Sequence, residues 1–125
     1  MSARFIIVCS AFSGFVSVAL GAFGAHMLRE QLSTRLYDVL QTGIQYQMFH
    51  TLALLGVGLL VLRKPVKGLS LTAILFSAGI IFFSGSLYVL ALSGQHWLGA
   101  VTPVGGLLFL AGWLNLGQLA YRQLS

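Results

Sequence analysis

The chain has 125 residues, 58% of them hydrophobic and only 7% charged. So little charge cannot clothe a soluble globule of this composition, and the solvent it implies is lipid. Seven Lys and Arg stand against two Asp and Glu, but no basic face with base-reading side chains accompanies them, which argues against nucleic acid as a partner.

The charges fall in four short groups: Arg4; Arg29, Glu30, Arg35 and Asp38; Arg63, Lys64 and Lys67; and Arg122. About 30 Å of hydrocarbon takes roughly 20 apolar helical residues. The first two charge-free windows fit one span each. The third, from Gly68 to Tyr121, fits two and divides at Ser93-Gly94-Gln95-His96-Trp97, a polar turn followed by an interfacial aromatic. The expected fold is all-α: a single integral-membrane domain over residues 1–125, with four transmembrane helices in an up-down bundle. The predicted spans are 5–28, 43–62, 69–92 and 102–121.

Span one carries Ser10, Gly14, Ser17, Gly21 and Gly24 at alternating four- and three-residue steps, a seam of small residues for close helix packing. Arg4, the apolar run and Ala22-Phe23-Gly24 resemble a cleavable signal, but the run is long for one and a retained span is expected. Cys9 is the only cysteine and has no disulfide partner. Span two places Gly43, Tyr46, Gln47 and His50 on one face and then turns aliphatic. Pro65 closes the following hairpin. Span three holds Phe83-Ser84-Gly85-Ser86-Leu87-Tyr88; lipid tolerates no unpaired backbone, so the helix is expected to persist through these small residues. Span four opens on Thr102-Pro103-Val104-Gly105-Gly106, with Thr102 as N-cap and Pro103 in the first turn, or with Pro103 as a kink in a helix beginning near Trp97.

With four spans, Arg4, Arg63, Lys64, Lys67 and Arg122 share one side without an acid, while the charges of the other side cancel. Basic loops stay in the cytoplasm, so both termini are expected there. Depth counted from the outer ends places His26, Gln45, Tyr46, Tyr88 and Thr102 at shallow levels. His50 falls roughly 10 Å in, level with Gly21, Gly85 and Gly106. The outer half then carries a candidate polar cluster of His26, Gln45, Tyr46, His50, Ser84, Tyr88 and Thr102. The inner half is mostly leucine, isoleucine and valine, with Gln118 and Asn115 the only polar candidates near the cytoplasmic end. Gly14, Gly21, Gly24, Gly85, Gly105 and Gly106 are the expected packing glycines.

Ala19-Leu20-Gly21-Ala22-Phe23-Gly24-Ala25-His26, Thr42-Gly43, Gln45-Tyr46-Gln47, Phe49-His50, Phe83 through Tyr88, Thr102 through Gly106 and Ala111-Gly112-Trp113 occur in this order along the chain. In these blocks the chain resembles the YgdD family of small bacterial inner-membrane proteins, a domain of unknown function. The resemblance implies four spans in the inner membrane and no assigned activity.

No catalytic set emerges from the residues. Glu30 and Asp38 sit among arginines, and no intramembrane acid orients a histidine. Metal or haem ligation by His26 and His50 fails on depth, and serine chemistry at Ser84 or Ser86 would rest on His50 alone. No enzyme activity and no cofactor are expected. The leading expectation is a structural or partner-binding module in contact with membrane lipid, with a spare small-residue face for a homo-oligomer or another membrane protein. The alternative is a small-solute or proton transporter using His26 and His50. A short echo of Phe12-Ser13-Gly14 in Phe83-Ser84-Gly85 hints at the duplicated halves of transporters.

Overall fold

A computed structural model describes residues 1–124. It has four helical spans long and apolar enough to cross a membrane: α1 (Ala3–Leu28), α2 (Thr34–Arg63), α3 (Leu69–Ser93) and α4 (His96–Gln123). There is no strand among the described residues. Short connections make neighbouring spans antiparallel, and both described ends lie at the basic end of the bundle. There the Met1 ammonium donates to Ser70 Oγ at 2.9 Å.

The helix starts and stops follow from local chemistry. Ser2 caps α1 by accepting from the Phe5 amide at 3.1 Å. Ser33 caps α2 by accepting from the Leu36 amide at 3.2 Å. Each hydroxyl satisfies an amide that the first helical turn leaves free. Because Ser33 starts the helix, α2 begins at Thr34 rather than near Gly43, and Arg35 and Asp38 ride on its outer turns instead of in a loop. Leu40 of this extension packs with Ile44, Ala25 and Ala91. Pro65 follows the end of α2 at Arg63. Gly94, with φ 73°, ends α3 in the left-handed region open to glycine.

The start of α4 differs from the capping expectation. A 3₁₀ turn over His96–Ala100 runs into the α-helical part Thr102–Gln123, with Val101 at the N-cap position. The Thr102 hydroxyl turns back to the Leu98 carbonyl at 3.3 Å and pairs with Ser86 Oγ at 2.7 Å, so it caps no amide of its own helix. Pro103 stands in the first turn, where its missing N–H costs nothing.

Two spans contain a π-helical turn: Leu20–Gly24 in α1 and Ile80–Ser84 in α3. A π turn inserts extra arc without breaking the hydrogen-bonded backbone. In α1 it shifts the small-residue seam. Ser10 and Ser17 are buried, and Cβ atoms built at Gly14 and Gly21 would meet Thr51 and Ile44 of α2 at 3.5 Å. Beyond the π turn the buried position passes to Ala25, which is 1% exposed. Gly24 faces only its own helix, which corrects its assignment as a packing glycine.

The spans α2 and α3 form the centre of the bundle. Helix α1 packs along α2, and α4 packs along α3. The main core joins Ile6, Leu54, Val57, Leu69, Ala73, Phe76, Phe109 and Leu119 toward the basic end. Outward-facing side chains such as Phe12, Phe15, Leu59, Leu107 and Leu114 are exposed, as a lipid-facing surface requires.

Candidate functional site

The tightest polar cluster joins α1, α2 and α3 around Gln47. Its side-chain amide donates to the Ser13 carbonyl and to Ser13 Oγ, both at 3.1 Å, and Ser13 Oγ pairs with Thr51 Oγ1 at 2.7 Å. On the other side the Tyr88 hydroxyl donates to Gln47 Oε1. The Tyr88 ring lies against Gly43, where a Cβ would come within 2.8 Å of Tyr88 Cε1. Ser84 Oγ donates to the Gly43 carbonyl at 2.7 Å. Gln47 thus links three helices by hydrogen bonds of about 0.6 kcal/mol each in lipid.

The second cluster centres on His50 and reaches α4. Trp113 Nε1–H donates to His50 Nε2 at 3.0 Å, and His50 Nδ1 lies 2.7 Å from the Tyr46 carbonyl. An indole nitrogen only donates, so Nε2 must accept and Nδ1 must carry the proton. The imidazole is therefore a neutral δ-tautomer. Its ring stacks on Phe109 with centroids 3.5 Å apart and meets Phe76 edge-on at 5.6 Å. Phe109 in turn occupies the space that a side chain at Gly79 would need.

Further pairs lie at other depths. Ser86 and Thr102 join α3 to α4 toward the outer end. At the basic end Asn115 Nδ2 donates to Thr72 Oγ1 at 2.6 Å and to the Gly68 carbonyl at 3.2 Å. At the outer end Arg35 Nη1 lies 3.3 Å from His96 Nδ1, and the Arg29 guanidinium sits 5.8 Å over the Tyr37 ring. Every buried side-chain nitrogen or oxygen among the described residues has a hydrogen-bond partner.

These positions redraw the expected cluster. Tyr46, His50, Ser84, Tyr88 and Thr102 all face the bundle or its clefts, but they divide among three separate networks. His26 and Gln45 are exposed, form no hydrogen bond among the described residues, and join none of them. Depth changes as well. His50 lies sixteen residues from the start of α2 and thirteen from its end, near the helix midpoint rather than within the outer half of its span. Toward the basic end Asn115, one of the two polar candidates there, is joined by Thr72. His50 owes its place to Phe109 and Trp113, not to glycines at positions 21 and 85.

Among the packing glycines, Gly105 makes the closest approach. A Cβ there would fall within 2.6 Å of Phe83 Cα and 2.7 Å of the Phe82 carbonyl carbon. Gly106 only grazes Phe83 at 3.9 Å, and Gly85 faces open space, which corrects its assignment. Gly58, Gly79 and Gly112 instead admit Ile7, Phe109 and Phe76. Each is a small residue opposite a large one on the next helix, a pairing that a single strand of sequence does not display. Gln47, Ser13, Thr51 and Trp113 were also missing from the expected cluster. Gln47 was legible on the Tyr46–His50 face, whereas Ser13 lies off the small-residue seam and stood out only in the Phe12-Ser13-Gly14 echo.

Chemically, the arrangement is suited to cohesion. Both His50 nitrogens and the hydroxyls of Ser84 and Ser86 bond elsewhere, so these three side chains form no nucleophile–base pair. No group of three or more His, Cys, Asp or Glu among the described residues could hold a metal ion. One lipid-facing cleft of about 560 Å³ opens between α2 and α4, beside His50 and Trp113.

The family profile described as "Protein of unknown function (DUF423)" matches residues 20–106. The chain belongs to the DUF423 family. Over 113 residues it is 46% identical to the UPF0382 inner membrane protein YgdD of Escherichia coli K12, covering 90% of this chain and 86% of the relative. A UPF0382 membrane protein of Haemophilus influenzae is 45% identical over 116 residues, 92% of each chain. One from Staphylococcus haemolyticus is 42% identical over 113 residues, covering 90% of this chain and 92% of the relative. No solved structure matches the chain. This DUF423 chain is a multi-pass protein of the bacterial inner membrane, with four helices able to span it.

Proposed function

We propose that the protein is a non-enzymatic, lipid-interacting membrane module with cytoplasmic termini, whose intramembrane polar groups fix one packing of its four helices. The observation that carries this reading is the complete pairing of buried side-chain polar atoms inside the bundle. A polar group held in lipid is costly unless bonded, and here the bonds run between helices: Gln47 to Ser13, Tyr88 to Gln47, Trp113 to His50, Asn115 to Thr72. The basic end, with Arg4, Arg63, Lys64, Lys67 and Arg122, supports the orientation.

One observation favours a second reading, a proton or small-solute path. Polar pairs occur at several depths, from Ser86–Thr102 to Asn115–Thr72. Both pairs lie in the α3–α4 interface, however, and between them the rings of Phe76 and Phe109 stand against His50. The test is flux in proteoliposomes under an imposed pH gradient, together with thermal stability of His50→Leu. The module reading expects no flux above empty vesicles and a lowered stability. Proton flux abolished by His50→Gln in a protein that remains folded would replace it with the second.

A further inference from the structure

The cleft between α2 and α4 combines three features that packing alone leaves unexplained. It is walled by aromatic faces, chiefly Tyr46, Phe83, Phe109 and Trp113, with His50 at its base. Gly106 on α4 contributes no side chain, and the space between the helices stays open at about 560 Å³, within the usual range for small-molecule sites. Finally, Tyr46 is 39% exposed and its hydroxyl has no hydrogen-bond partner among the described residues, unlike the buried polar groups around it.

The depth of Tyr46 gives that hydroxyl its meaning. Its ring lies 4.6 Å from the ring of Phe83, which stands ten residues from the outer end of α3 and fourteen from the inner end. That is about 15 Å and about 21 Å along the axis, close to the middle of the membrane. A free phenol there is a donor in hydrocarbon, and leaving it unmade is unfavourable. A phospholipid acyl chain fills such a cleft without satisfying it, because the ester and phosphate oxygens stay at the interface. A neighbouring transmembrane helix offers few acceptors, since its carbonyls are used along its own axis.

We propose that this cleft binds an isoprenoid quinone, with the flat ring against Phe83 and Trp113 and a ring carbonyl accepting from the Tyr46 hydroxyl. A quinone brings a hydrogen-bond acceptor on an apolar, planar ring into the hydrocarbon layer, and its isoprenoid tail remains in lipid. The proposal concerns binding and rests on the lipid-interacting reading above. It names the chemical class that the cleft selects.

The chain has two tryptophans, Trp97 and Trp113. Trp97→Phe therefore leaves Trp113 as the only tryptophan, at the wall of the cleft. This protein in phosphatidylcholine nanodiscs is titrated with ubiquinone-2 and with menaquinone-4, and Trp113 fluorescence is followed. Saturable quenching by at least one of them is expected. Gly106→Leu fills the cleft, and its Cβ meets only Phe83 at 3.9 Å, so helix packing is kept; affinity should fall at least tenfold. Tyr46→Phe, which keeps the ring and removes the donor, should weaken binding about three- to tenfold. Linear, non-saturating quenching that is the same in all three proteins would overturn the proposal. So would Trp113 quenching by dibrominated phospholipid that Gly106→Leu abolishes and quinone does not compete away, since the occupant would then be an acyl chain. Flux and helix stability are separate readouts, so loss of the quinone site leaves the module reading standing, and flux without quinone binding removes both.

Discussion

Replacing Gly105 with alanine tests the helix contacts most directly. The added Cβ would sit 2.6 Å from Phe83 Cα and 2.7 Å from the Phe82 carbonyl carbon. Carbon atoms in good contact lie about 3.5–4.0 Å apart, so α4 must retreat by about 1 Å. Backbone cannot rotate aside as a side chain does. A gap of that size forfeits a quarter to a half of the dispersion well for each contact across the seam, including Phe109 over Gly79 and Phe76 over Gly112. Overpacking of this kind costs about 1–3 kcal/mol, against which alanine's better helix propensity returns at most about 1 kcal/mol. The net expectation for Gly105→Ala is a loss of about 1–2 kcal/mol. Gly85→Ala is the internal control: nothing lies within 4 Å of its added Cβ, so its effect should run from zero to a gain of about 1 kcal/mol. Reversible unfolding of both variants in bicelles, by SDS titration, measures the difference. If the two variants unfold alike, the close approach of α4 to the π turn of α3 is not what holds these spans together.

The remaining expectations concern the polar clasps. Gln47→Leu strands the Tyr88 hydroxyl and should cost about 1–2 kcal/mol; adding Tyr88→Phe should recover part of it, so a double-mutant cycle that is strictly additive would refute the coupling. His50→Gln keeps an acceptor for Trp113, whereas His50→Leu does not. The indole N–H proton resonance of Trp113 should therefore move upfield much further in the leucine variant. Asn115→Leu removes the tie from α4 to Thr72 and Gly68 and should lower stability by up to about 1.7 kcal/mol in the same unfolding assay. Ser33→Ala removes the N-cap of α2 and should cost about 1 kcal/mol, seen as faster hydrogen exchange at the Leu36 amide.

Much of the architecture was legible because lipid is an unforgiving solvent. Charge-free windows had to be helices, and their lengths set the number of spans. The beginning of α2 was not legible in the same way. Arg35 and Asp38 look like loop residues, yet a serine cap lets a helix run past the hydrocarbon into water. Pairs between spans were hidden for a different reason. Gly79 and Phe109, or Gly112 and Phe76, become partners only when two helices meet, and depth counts carry an error of a turn or more. That error put His50 in an outer layer with glycines, when its neighbours are Phe109 and Trp113 near mid-membrane. The seam on α1 runs along α2 as far as Gly21 and leaves it at Gly24, because no periodicity in the sequence announces a π turn.

The π turn over Ile80–Ser84 has a consequence for the phase of α3. Below it, Phe76 faces Gly112 and the inner core; above it, Ser86 reaches Thr102 and Tyr88 reaches Gln47. One residue of an α-helix corresponds to about 100° of rotation. Deleting a single residue from this turn would restore an ordinary helix and swing the outer part of α3 by that angle, carrying Tyr88 away from Gln47. The inner contacts would stay where they are. The turn thus works like a vernier between two halves of one helix, letting each half meet its own set of neighbours at the angle it needs.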